Sequence, residues 1–281
     1  MSVLVTGASG VLGSSVARAL AAAHRPAVLG THRPHAVAEA HADRAEVRRL
    51  DYDDPTTFDT SLAGITELLL VAPLGEAHSD RRLAPFVKAA ANAGVEHFIV
   101  NSACMSALSE TFALRRLERA VEETGRSWAH LRSHWYMSTL TRGMFAPMPR
   151  GGELALPIGT ADRIAYVAVE DVADVVLAVL ADPGRHAGNA YELSGPEALD
   201  GPTVTAWCSG SWNIPVTFRS LDEDTYARAC REAGLPEDTV GLLLELFSVV
   251  RDGHGAHTTT AVREVTGHAP RTLRHVLADG R

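Results

Sequence analysis

The chain has 281 residues, of which 46% are hydrophobic and 21% are charged, and its formal net charge is −8. This apolar content suffices for a large core and excludes an intrinsically disordered protein. The acidic balance, without any long basic run, argues against nucleic acid as a partner, because wrapping a phosphate backbone needs a basic stripe. Three widely spaced cysteines, Cys104, Cys208 and Cys230, favour a reducing compartment over disulfides or a zinc site.

The first seven residues have the pattern of a β-strand and lack the basic segment that opens a signal peptide. No apolar run approaches the roughly 20 residues that are needed to cross a bilayer. We therefore expect a cytoplasmic protein without a membrane partner. An oligomer is compatible with the sequence, but no feature indicates one.

Short β-branched runs alternate with Ala-rich amphipathic stretches, and this alternation is typical of βαβ units and a parallel sheet. Strands are predicted, in chain order, at residues 3–6, 27–30, 46–50, 68–72, 97–101, 128–132 and 190–193. Helices are predicted at residues 11–23, 36–41, 55–62, 80–93, 112–123 and 171–181. The expected fold is α/β, a Rossmann-type doubly wound parallel sheet.

The pattern changes from about Pro196 onward. Helices are predicted there at residues 203–212, 223–233 and 238–251, with one strand at residues 216–219. We predict that residues 1–195 form a dinucleotide-binding domain, with part of the substrate pocket at residues 133–165. Residues 196–281 are expected to form a smaller, mainly helical C-terminal substrate cap.

The first predicted strand runs directly into a glycine-rich loop with the spacing G-x-x-G-x-x-G, and a helix follows. Such glycines allow a tight turn, a close approach of the backbone to a pyrophosphate, and close packing of helix on strand. The helix N-terminus then faces the phosphate charge. The alternative is a structural turn. We predict that the dinucleotide contacts Gly7, Ser9, Gly10, Val11, Leu12 and Gly13.

The end of the second strand distinguishes NAD from NADP. An NAD site places an Asp or Glu there to hold the ribose 2′-hydroxyl. This chain has Arg33 instead, with His32 beside it, and no carboxylate before Glu39. A guanidinium binds a phosphate through two hydrogen bonds, so His32 and Arg33 are predicted to hold the 2′-phosphate of NADP(H). The alternative is a solvated surface arginine.

Three segments resemble those of NmrA-like atypical short-chain dehydrogenases and reductases. They are Val-Thr-Gly-Ala-Ser-Gly-Val-Leu-Gly at 5–13, Leu-Arg-Ser-His-Trp-Tyr-Met at 131–137, and Val-Arg-Glu-Val-Thr-Gly-His-Ala-Pro-Arg-Thr at 262–272. The resemblance covers nearly the whole chain. It looks closest to bacterial NAD(P)H-binding reductases, including quinone-reductase-like and ergot-alkaloid-reductase-like members.

The resemblance implies further cofactor contacts, all at the carboxyl ends of strands, where open α/β sheets bind ligands. Asp51 and Tyr52 would lie by the adenine. The ribose and pyrophosphate would be lined by Ala72, Pro73 and Leu74, and the nicotinamide would be flanked by Ser102, Ala103 and Cys104. A turn-forming role is the alternative for Asp51 and for Ser102.

The sequence also departs from the family pattern. It contains no Tyr-x-x-x-Lys, the proton-donating motif of many short-chain dehydrogenases, and its single lysine is Lys88 on a predicted helix. Where relatives place a Lys or His one turn before Glu118, this chain has Leu114. Glu118 itself is expected to be an exposed helix carboxylate, and the alternative is that it orients neighbouring groups.

A proton donor must therefore come from elsewhere if the chain is a reductase. His134 and Tyr136 follow the sixth predicted strand and are the candidate catalytic residues. The alternative is that these residues only line a wall, as is expected of Trp135. Neither His32-x-x-His35 nor His254-x-x-His257 has a third ligand, so no metal site is predicted.

Three functions remain open at this point, because a fold alone does not select one. The first is an NADP(H)-dependent oxidoreductase acting on a small hydrophobic acceptor, namely a quinone, enone or imine. The second is an NADP(H)-sensing regulatory protein without turnover. The third is a non-redox biosynthetic enzyme, an isomerase or cyclase, built on the same fold.

Overall fold

The computed structural model describes residues 2–41, 45–73 and 75–279. Its strands are β1 (Val3–Val5), β2 (Ala27–Thr31), β3 (Glu46–Arg49), β4 (Glu67–Val71), β5 (His97–Ala103), β6 (Ser127–Ser133), β7 (Glu153–Leu156), β8 (Arg163–Ala165), β9 (Asn189–Leu193), β10 (Ala198–Asp200) and β11 (Thr217–Ser220). The predicted strands of the N-terminal part are confirmed, with ends that shift by one or two residues.

The helices of the described residues include every predicted one, with ends that shift by at most two residues, and five short ones that were not predicted. They are α1 (Val11–Ala22), α2 (Pro34–Ala40), α3 (Phe58–Leu62), α4 (Ser79–Asn92), α5 (Ala113–Glu122), α6 (Ser138–Thr141), α7 (Pro147–Arg150), α8 (Val169–Ala181), α9 (Pro183–His186), α10 (Gly201–Trp212), α11 (Glu223–Glu232), α12 (Glu237–Arg251), α13 (Ala261–Thr266) and α14 (Leu273–Asp279). The predicted helix at residues 55–62 divides into a 3₁₀ turn, Pro55–Thr57, and α3. None of the helices among the described residues is both long and apolar enough to span a membrane.

A seven-stranded sheet has the order β3-β2-β1-β4-β5-β6-β9. The first six of these strands pair in parallel, so that Leu4 of β1 lies opposite Val28 on one side and Leu68 on the other. The chain builds outward from β1 to β3 and then returns to place β4 on the other side of β1. This reversal is the switch point of a doubly wound sheet. The predicted Rossmann-type fold is confirmed.

The residues form two compact units that are discontinuous in sequence. The first comprises residues 1–74, 78–133 and 169–192, and the second comprises residues 75–77, 134–168 and 193–281. The second unit therefore includes residues 134–168, which the sequence division placed with the dinucleotide-binding domain.

The core of the first unit lies around the central strands. Leu4 of β1 and Leu68 of β4 are fully buried, and Phe86 and Phe98 pack into the same cluster. Strands with helices on both faces are buried on both sides, which explains their continuous apolar runs. The large buried residues of α1, Leu12, Val16 and Leu20, recur every four positions.

The second unit is mainly helical but contains more strand than was predicted. Two small sheets pair β8 with β10 and β7 with β11. The expectation of a single strand beyond residue 196 is wrong, because β10 precedes β11. Its core gathers around Phe247, which contacts the rings of Trp135, Phe145 and Tyr226 at centroid distances of 4.9, 6.0 and 5.4 Å.

Candidate functional site

The glycine loop joins β1 to α1 at the carboxyl edge of the sheet. Gly7 has a φ of +61°, in the left-handed region that favours glycine. A Cβ on Gly13 would lie 2.4 Å from the Gly7 carbonyl oxygen, so α1 packs on the loop only because Gly13 has no side chain. These two glycines are explained by the loop itself.

Gly10 has no such local explanation. Its φ of −87° and ψ of 173° are open to any residue. Within 4 Å a Cβ at this position would meet only the Gly7 carbonyl oxygen, at 3.2 Å, a contact that a small shift relieves. Gly10 is exposed. The missing side chain leaves the start of α1 open to a ligand.

The start of α1 is suited to bind an anion. Its N-cap residue, Gly10, provides no side-chain hydrogen bond, and the first turn carries no acidic residue. The N–H groups and dipole at this end of a helix attract negative charge. Thr6 ties the loop to β4, because its hydroxyl donates to the Leu69 carbonyl at 3.2 Å and accepts from the Val71 N–H at 2.8 Å.

The other residues of the glycine loop that were predicted to contact the dinucleotide differ in their exposure to solvent. Ser9 is exposed and Val11 is half-buried. Leu12 is 4% exposed and its side chain belongs to the core. Any contact that Leu12 makes with a ligand is therefore through its backbone.

The end of β2 exposes two polar side chains, His32 and Arg33. The buried Thr31 shapes this turn, because its hydroxyl accepts a hydrogen bond from the Arg33 N–H at 3.1 Å. Within residues 2–41, 45–73 and 75–279, the Arg33 guanidinium forms no ion pair. It is therefore available to an external anion.

Asp51 and Tyr52, which follow β3, both make contacts within the protein. The Asp51 carboxylate accepts a hydrogen bond from the Asp53 N–H at 3.1 Å, which forms an Asx turn. The Tyr52 ring packs edge-on against Phe86, with centroids 5.5 Å apart. The adenine contact of both residues stays a prediction.

The residues after β4 are only partly described. Ala72 and Pro73 are half-buried, and Ala72 packs against the core of the first unit. Leu74 lies outside the described residues.

Ser102 ends the buried part of β5 and is 3% exposed. Its Oγ lies 3.0 Å from the Oγ of Ser106. Ala103 and Cys104 are half-buried, and Cys104 opens a 3₁₀ turn, Cys104–Ala107, with a free thiol. Ser102 pairs in register with Arg132 of β6, so their side chains share one face of the sheet.

The expectation that Glu118 is an exposed helix carboxylate is wrong. Its side chain is 0% exposed, not solvent-facing. Both carboxylate oxygens accept from Arg132, at 3.0 and 2.7 Å, and one accepts from Arg115 at 2.8 Å. Burial alone would raise the pKa of Glu118, but hydrogen bonds from Arg132, Ser102 and Arg115 outweigh it and hold that pKa below its ordinary value.

The charge network extends beyond Glu118 to Glu122 and His130. The Glu122 carboxylate lies 3.0 Å from Arg115 and 3.2 Å from the Nε2 of His130. Together with Glu118 these residues bring three potential metal-ligand atoms within 4.8 Å of one another. The arginines already neutralise both carboxylates, so the arrangement is an ion-pair network and does not favour a metal centre.

His134 and Tyr136, the predicted catalytic residues, belong to the second unit. The His134 side chain is buried, the residue being 4% exposed, and its backbone N–H donates to the Leu193 carbonyl at 2.9 Å. Tyr136 is half-buried, and its backbone forms an isolated parallel β-bridge with Val167. Between them Trp135 stacks on Phe247, which agrees with its expected role as an apolar wall. The catalytic roles stay a prediction.

Comparison with known proteins decides the family. A model of the NmrA-like family matches residues 1–270. The chain belongs to the NmrA-like family. This confirms the resemblance that was drawn from the three sequence segments.

Curated relatives of this NmrA-like protein include two bacterial reductases that it matches over almost their full length. It is 32% identical to the (4-alkanoyl-5-oxo-2,5-dihydrofuran-3-yl)methyl phosphate reductase of Streptomyces griseus, with 99% of this chain and 97% of the relative covered. It is 28% identical to the NAD(P)H azoreductase of Xenophilus azovorans, with 96% and 95% covered.

Among solved structures, the fold is similar to that of the Citrobacter triphenylmethane reductase in complex with NADP(H). The TM-score is 0.84, the identity is 21%, and both chains are covered completely.

The sequence interpretation gave the wrong exposure for Glu118, although a signal existed. Leu114, Leu117, Glu118 and Val121 recur at the i, i+3, i+4, i+7 spacing of a buried helix face. Leu117 and Val121 are buried in the first core, and Leu114 packs against it. A carboxylate within such a stripe predicts a buried charge with a cationic partner.

Proposed function

We propose that this NmrA-like protein is an NADP(H)-dependent oxidoreductase that reduces a small hydrophobic acceptor. Gly10 is the observation that carries the proposal. Neither its backbone angles nor its packing requires glycine, yet it opens the start of α1 to an anion. A pyrophosphate that approaches this backbone closely fits that arrangement.

The second strand supports the choice of NADP(H). The Arg33 guanidinium is exposed at the end of β2, where the ribose of a dinucleotide lies in this fold. A guanidinium matches the geometry of a phosphate, and in an NAD site a carboxylate would hold the 2′-hydroxyl instead. The names of the azoreductase and of the triphenylmethane reductase complex support the same class of cofactor.

We place the nicotinamide half of the cofactor at the carboxyl ends of β4 to β6. A dinucleotide crosses the sheet at the switch point, which here lies between β1 and β4. Ser102, Ala103 and Cys104 then flank the nicotinamide at the end of β5. When bound, NADPH supplies a hydride, and the protein positions the reacting groups and provides the proton.

His134 and Tyr136 are the proposed sources of that proton. An imidazole transfers protons near neutral pH, whereas a phenol is a weaker acid that needs help from its surroundings. Lys88 is exposed on α4, and the Leu114 side chain packs against the first core. Neither residue replaces the missing Tyr-x-x-x-Lys.

The names of the relatives support a small-molecule acceptor. The two curated reductases are named for an azo reaction and for an alkanoyl-oxo-dihydrofuran phosphate. Both names support reduction of a small molecule. We extend this to quinones, enones and imines, in which an electrophilic carbon, or the carbonyl oxygen of a quinone, accepts a hydride.

A turnover assay tests the proposal. Purified protein is titrated with NADPH and with NADH by calorimetry, and loss of reduced-nicotinamide absorbance is then followed with a quinone, an enone, an imine and an azo dye. We expect tighter binding of NADPH and turnover with at least one acceptor. Absence of binding to either nucleotide contradicts the proposal.

A regulatory protein that binds NADP(H) without turnover is the second candidate. It is favoured by the absence of Tyr-x-x-x-Lys and by Leu114, which packs into the core at the position of the relatives' Lys or His. Tight NADPH binding together with no oxidation by any acceptor favours this candidate. Conversion of a substrate without any change in the cofactor points instead to a non-redox enzyme.

A further inference from the structure

The amino-terminal edge of the seven-stranded sheet lies opposite the edge that carries the glycine loop, and it aligns three polar side chains. Glu67, His97 and Ser127 are the first residues of β4, β5 and β6. Glu67 pairs in register with His97, and His97 pairs in register with Ser127. In-register residues of neighbouring parallel strands project from the same face, with the strands about 4.8 Å apart. The side chains therefore form a row in the order carboxylate, imidazole, hydroxyl.

Both ends of this row make direct contacts. The Arg25 guanidinium donates to Oε2 of Glu67 at 2.5 Å, and Nδ1 of His97 lies 2.8 Å from Oγ of Ser127. Among the residues that the structure describes, neither Oε1 of Glu67 nor Nε2 of His97 has a hydrogen-bond partner. Glu67 and His97 are buried, whereas Ser127 is half-buried. The row therefore reaches solvent at its hydroxyl end.

The carboxylate determines which nitrogen of His97 carries the proton. Glu67 is ion-paired with Arg25, so its other oxygen, Oε1, only accepts hydrogen bonds. A buried acceptor next to a buried imidazole nitrogen is favourable when that nitrogen carries a proton. With its proton on Nε2, a neutral imidazole is an acceptor at Nδ1. The Ser127 hydroxyl then donates to Nδ1.

His97 is held in its neutral form at pH 7. Burial lowers the pKa of His97, the Glu67 carboxylate raises it, and His186 of α9 lowers it, with a net shift below the ordinary value. A neutral imidazole within hydrogen-bond distance of a serine takes the serine proton when the oxygen attacks an electrophile.

We infer that Ser127 is the nucleophile of a second site, which accepts an acyl group from a carboxylic ester, with His97 as its base and Glu67 as a positioning residue for that base. A nucleophile, a base and a group that orients the base are the three parts that activate a serine. This site lies at the amino-terminal edge of the sheet, so it goes beyond the proposed function and does not depend on it.

The acyl transfer uses only the ester and these side chains. Oγ of Ser127 forms a bond to the ester carbonyl carbon, and the proton of Ser127 passes to Nδ1 of His97. The bond between the carbonyl carbon and the alcohol oxygen then breaks, and the leaving alcohol takes the proton from His97. Water releases the acyl group by the same steps with His97 again as the base, which restores the Ser127 hydroxyl.

A fluorophosphonate tests the nucleophile, because its adduct with a serine is stable. Oγ of Ser127 bonds to phosphorus, the P–F bond breaks, and fluoride leaves while His97 takes the proton. The full chain is incubated with the reagent in the absence of any nucleotide, and peptide mass spectrometry locates the adduct. We expect one adduct per chain, on Ser127.

Two variants test the pair of nucleophile and base. His97→Asn should slow the labelling of Ser127 by about 10²–10⁴-fold, the usual contribution of a general base. Ser127→Ala should lose the adduct. Ser109→Ala is the matched control, because Ser109 is also half-buried but its Oγ lies 2.8 Å from the Thr111 hydroxyl. Its labelling should equal that of the unmodified protein.

The pH profile of labelling tests the role of Glu67. The labelling rate should rise as His97 loses its proton, so the midpoint of the profile reports the pKa of His97. Glu67 and His186 are the groups whose charges act on His97. Because the Glu67 carboxylate raises the pKa of His97, Glu67→Gln should move the midpoint to lower pH and slow the labelling. If Glu67 only stabilises the fold, the midpoint stays where it is.

Each remaining outcome also decides the question. Absence of an adduct on Ser127, or equal labelling rates in His97→Asn and the unmodified protein, overturns the inference. Ser127→Ala keeps it testable if His97→Asn does not fold, since an undiminished number of adducts in Ser127→Ala overturns it as well. Nucleotide binding is measured separately, so failure of the proposed function leaves these results unaffected.

Discussion

The carboxylate of Glu118 and the guanidinium of Arg132 meet through two hydrogen bonds, at 3.0 and 2.7 Å, although the two residues are 14 positions apart in the chain. Their side chains are 0% and 17% exposed. A helix, α5, supplies the carboxylate and a strand, β6, supplies the guanidinium. Losing one partner leaves a buried charge that is only partly compensated.

Removing Arg132 should therefore destabilise the protein strongly. We expect Arg132→Met to lower the free energy of unfolding by about 3–5 kcal/mol, as measured by urea denaturation. Arg49→Met is the control, because Arg49 and Asp54 form an exposed pair and such pairs contribute little. A loss of less than about 1 kcal/mol in Arg132→Met would show that Arg115 alone compensates Glu118.

Arg33 should select NADP(H) over NAD(H). Arg33→Ala is expected to weaken NADPH binding by roughly 1.5–3 kcal/mol, the range for hydrogen bonds to charged groups. NADH, which has no 2′-phosphate, should be little affected. Arg18→Ala is the control, because the exposed Arg18 bonds Ser14 at 2.8 Å on α1. Equal calorimetric titrations of the unmodified protein with both cofactors would refute this assignment.

Gly10→Val should abolish dinucleotide binding and preserve the fold. Its backbone angles suit any residue, and the added side chain fills the space in front of α1. Calorimetry measures the affinity, and circular dichroism checks the fold. Gly210→Ala on α10 serves as the control, because a Cβ there meets nothing within 4 Å. If Gly10→Val retains the affinity for the dinucleotide, the loop is only a structural turn.

His134→Ala and Tyr136→Phe distinguish a proton donor from a wall residue. Loss of a general acid should reduce kcat by about 10²–10⁴-fold, whereas loss of a wall residue mainly changes KM. Steady-state kinetics with the best acceptor gives both parameters. Lys88→Ala, on the exposed face of α4, should leave both unchanged. An unaltered kcat in both variants would assign the proton to another group.

Stability should fall as the pH drops below about 6.5, the ordinary pKa of an unfolded histidine. Burial lowers the pKa of His97, His130 and His186 in the folded protein. Between the folded and unfolded values the unfolded chain binds more protons, so protonation favours unfolding. The loss is complete once the pH is below the folded values.

Thermal unfolding at a series of pH values measures this effect. His97→Asn keeps a polar group near Ser127, which lies 2.8 Å from the His97 Nδ1, and removes one titration. The dependence of the melting temperature on pH should become weaker. His24→Asn, at an exposed histidine whose φ of 51° suits asparagine, should leave it unchanged. A melting temperature that is constant below pH 6.5 would contradict this account.

Local patterns predicted the order of elements in the first unit and the position of the glycine loop. Strands and helices repeat every two and every 3.6 residues, and this periodicity is visible in a sequence without knowledge of any distant contact. The roles of Gly7 and Gly13 follow from a tight turn between β1 and α1, which is also a local property. The family segments extended these predictions to the ends of the other strands.

Only the tertiary structure decided the environment of Glu118. Of the two arginines that neutralise it, Arg115 lies on the same helix, whereas Arg132 comes from β6, and no periodicity identifies Arg132 as a partner. The strands β7 and β8 were missed for a related reason, since each forms by pairing with a strand far along the chain, β11 and β10. Their stability comes from long-range pairing and burial, which outweigh the weak local preference of three or four residues. A sequence specifies its periodic elements locally, whereas buried charges and short strands depend on which elements meet.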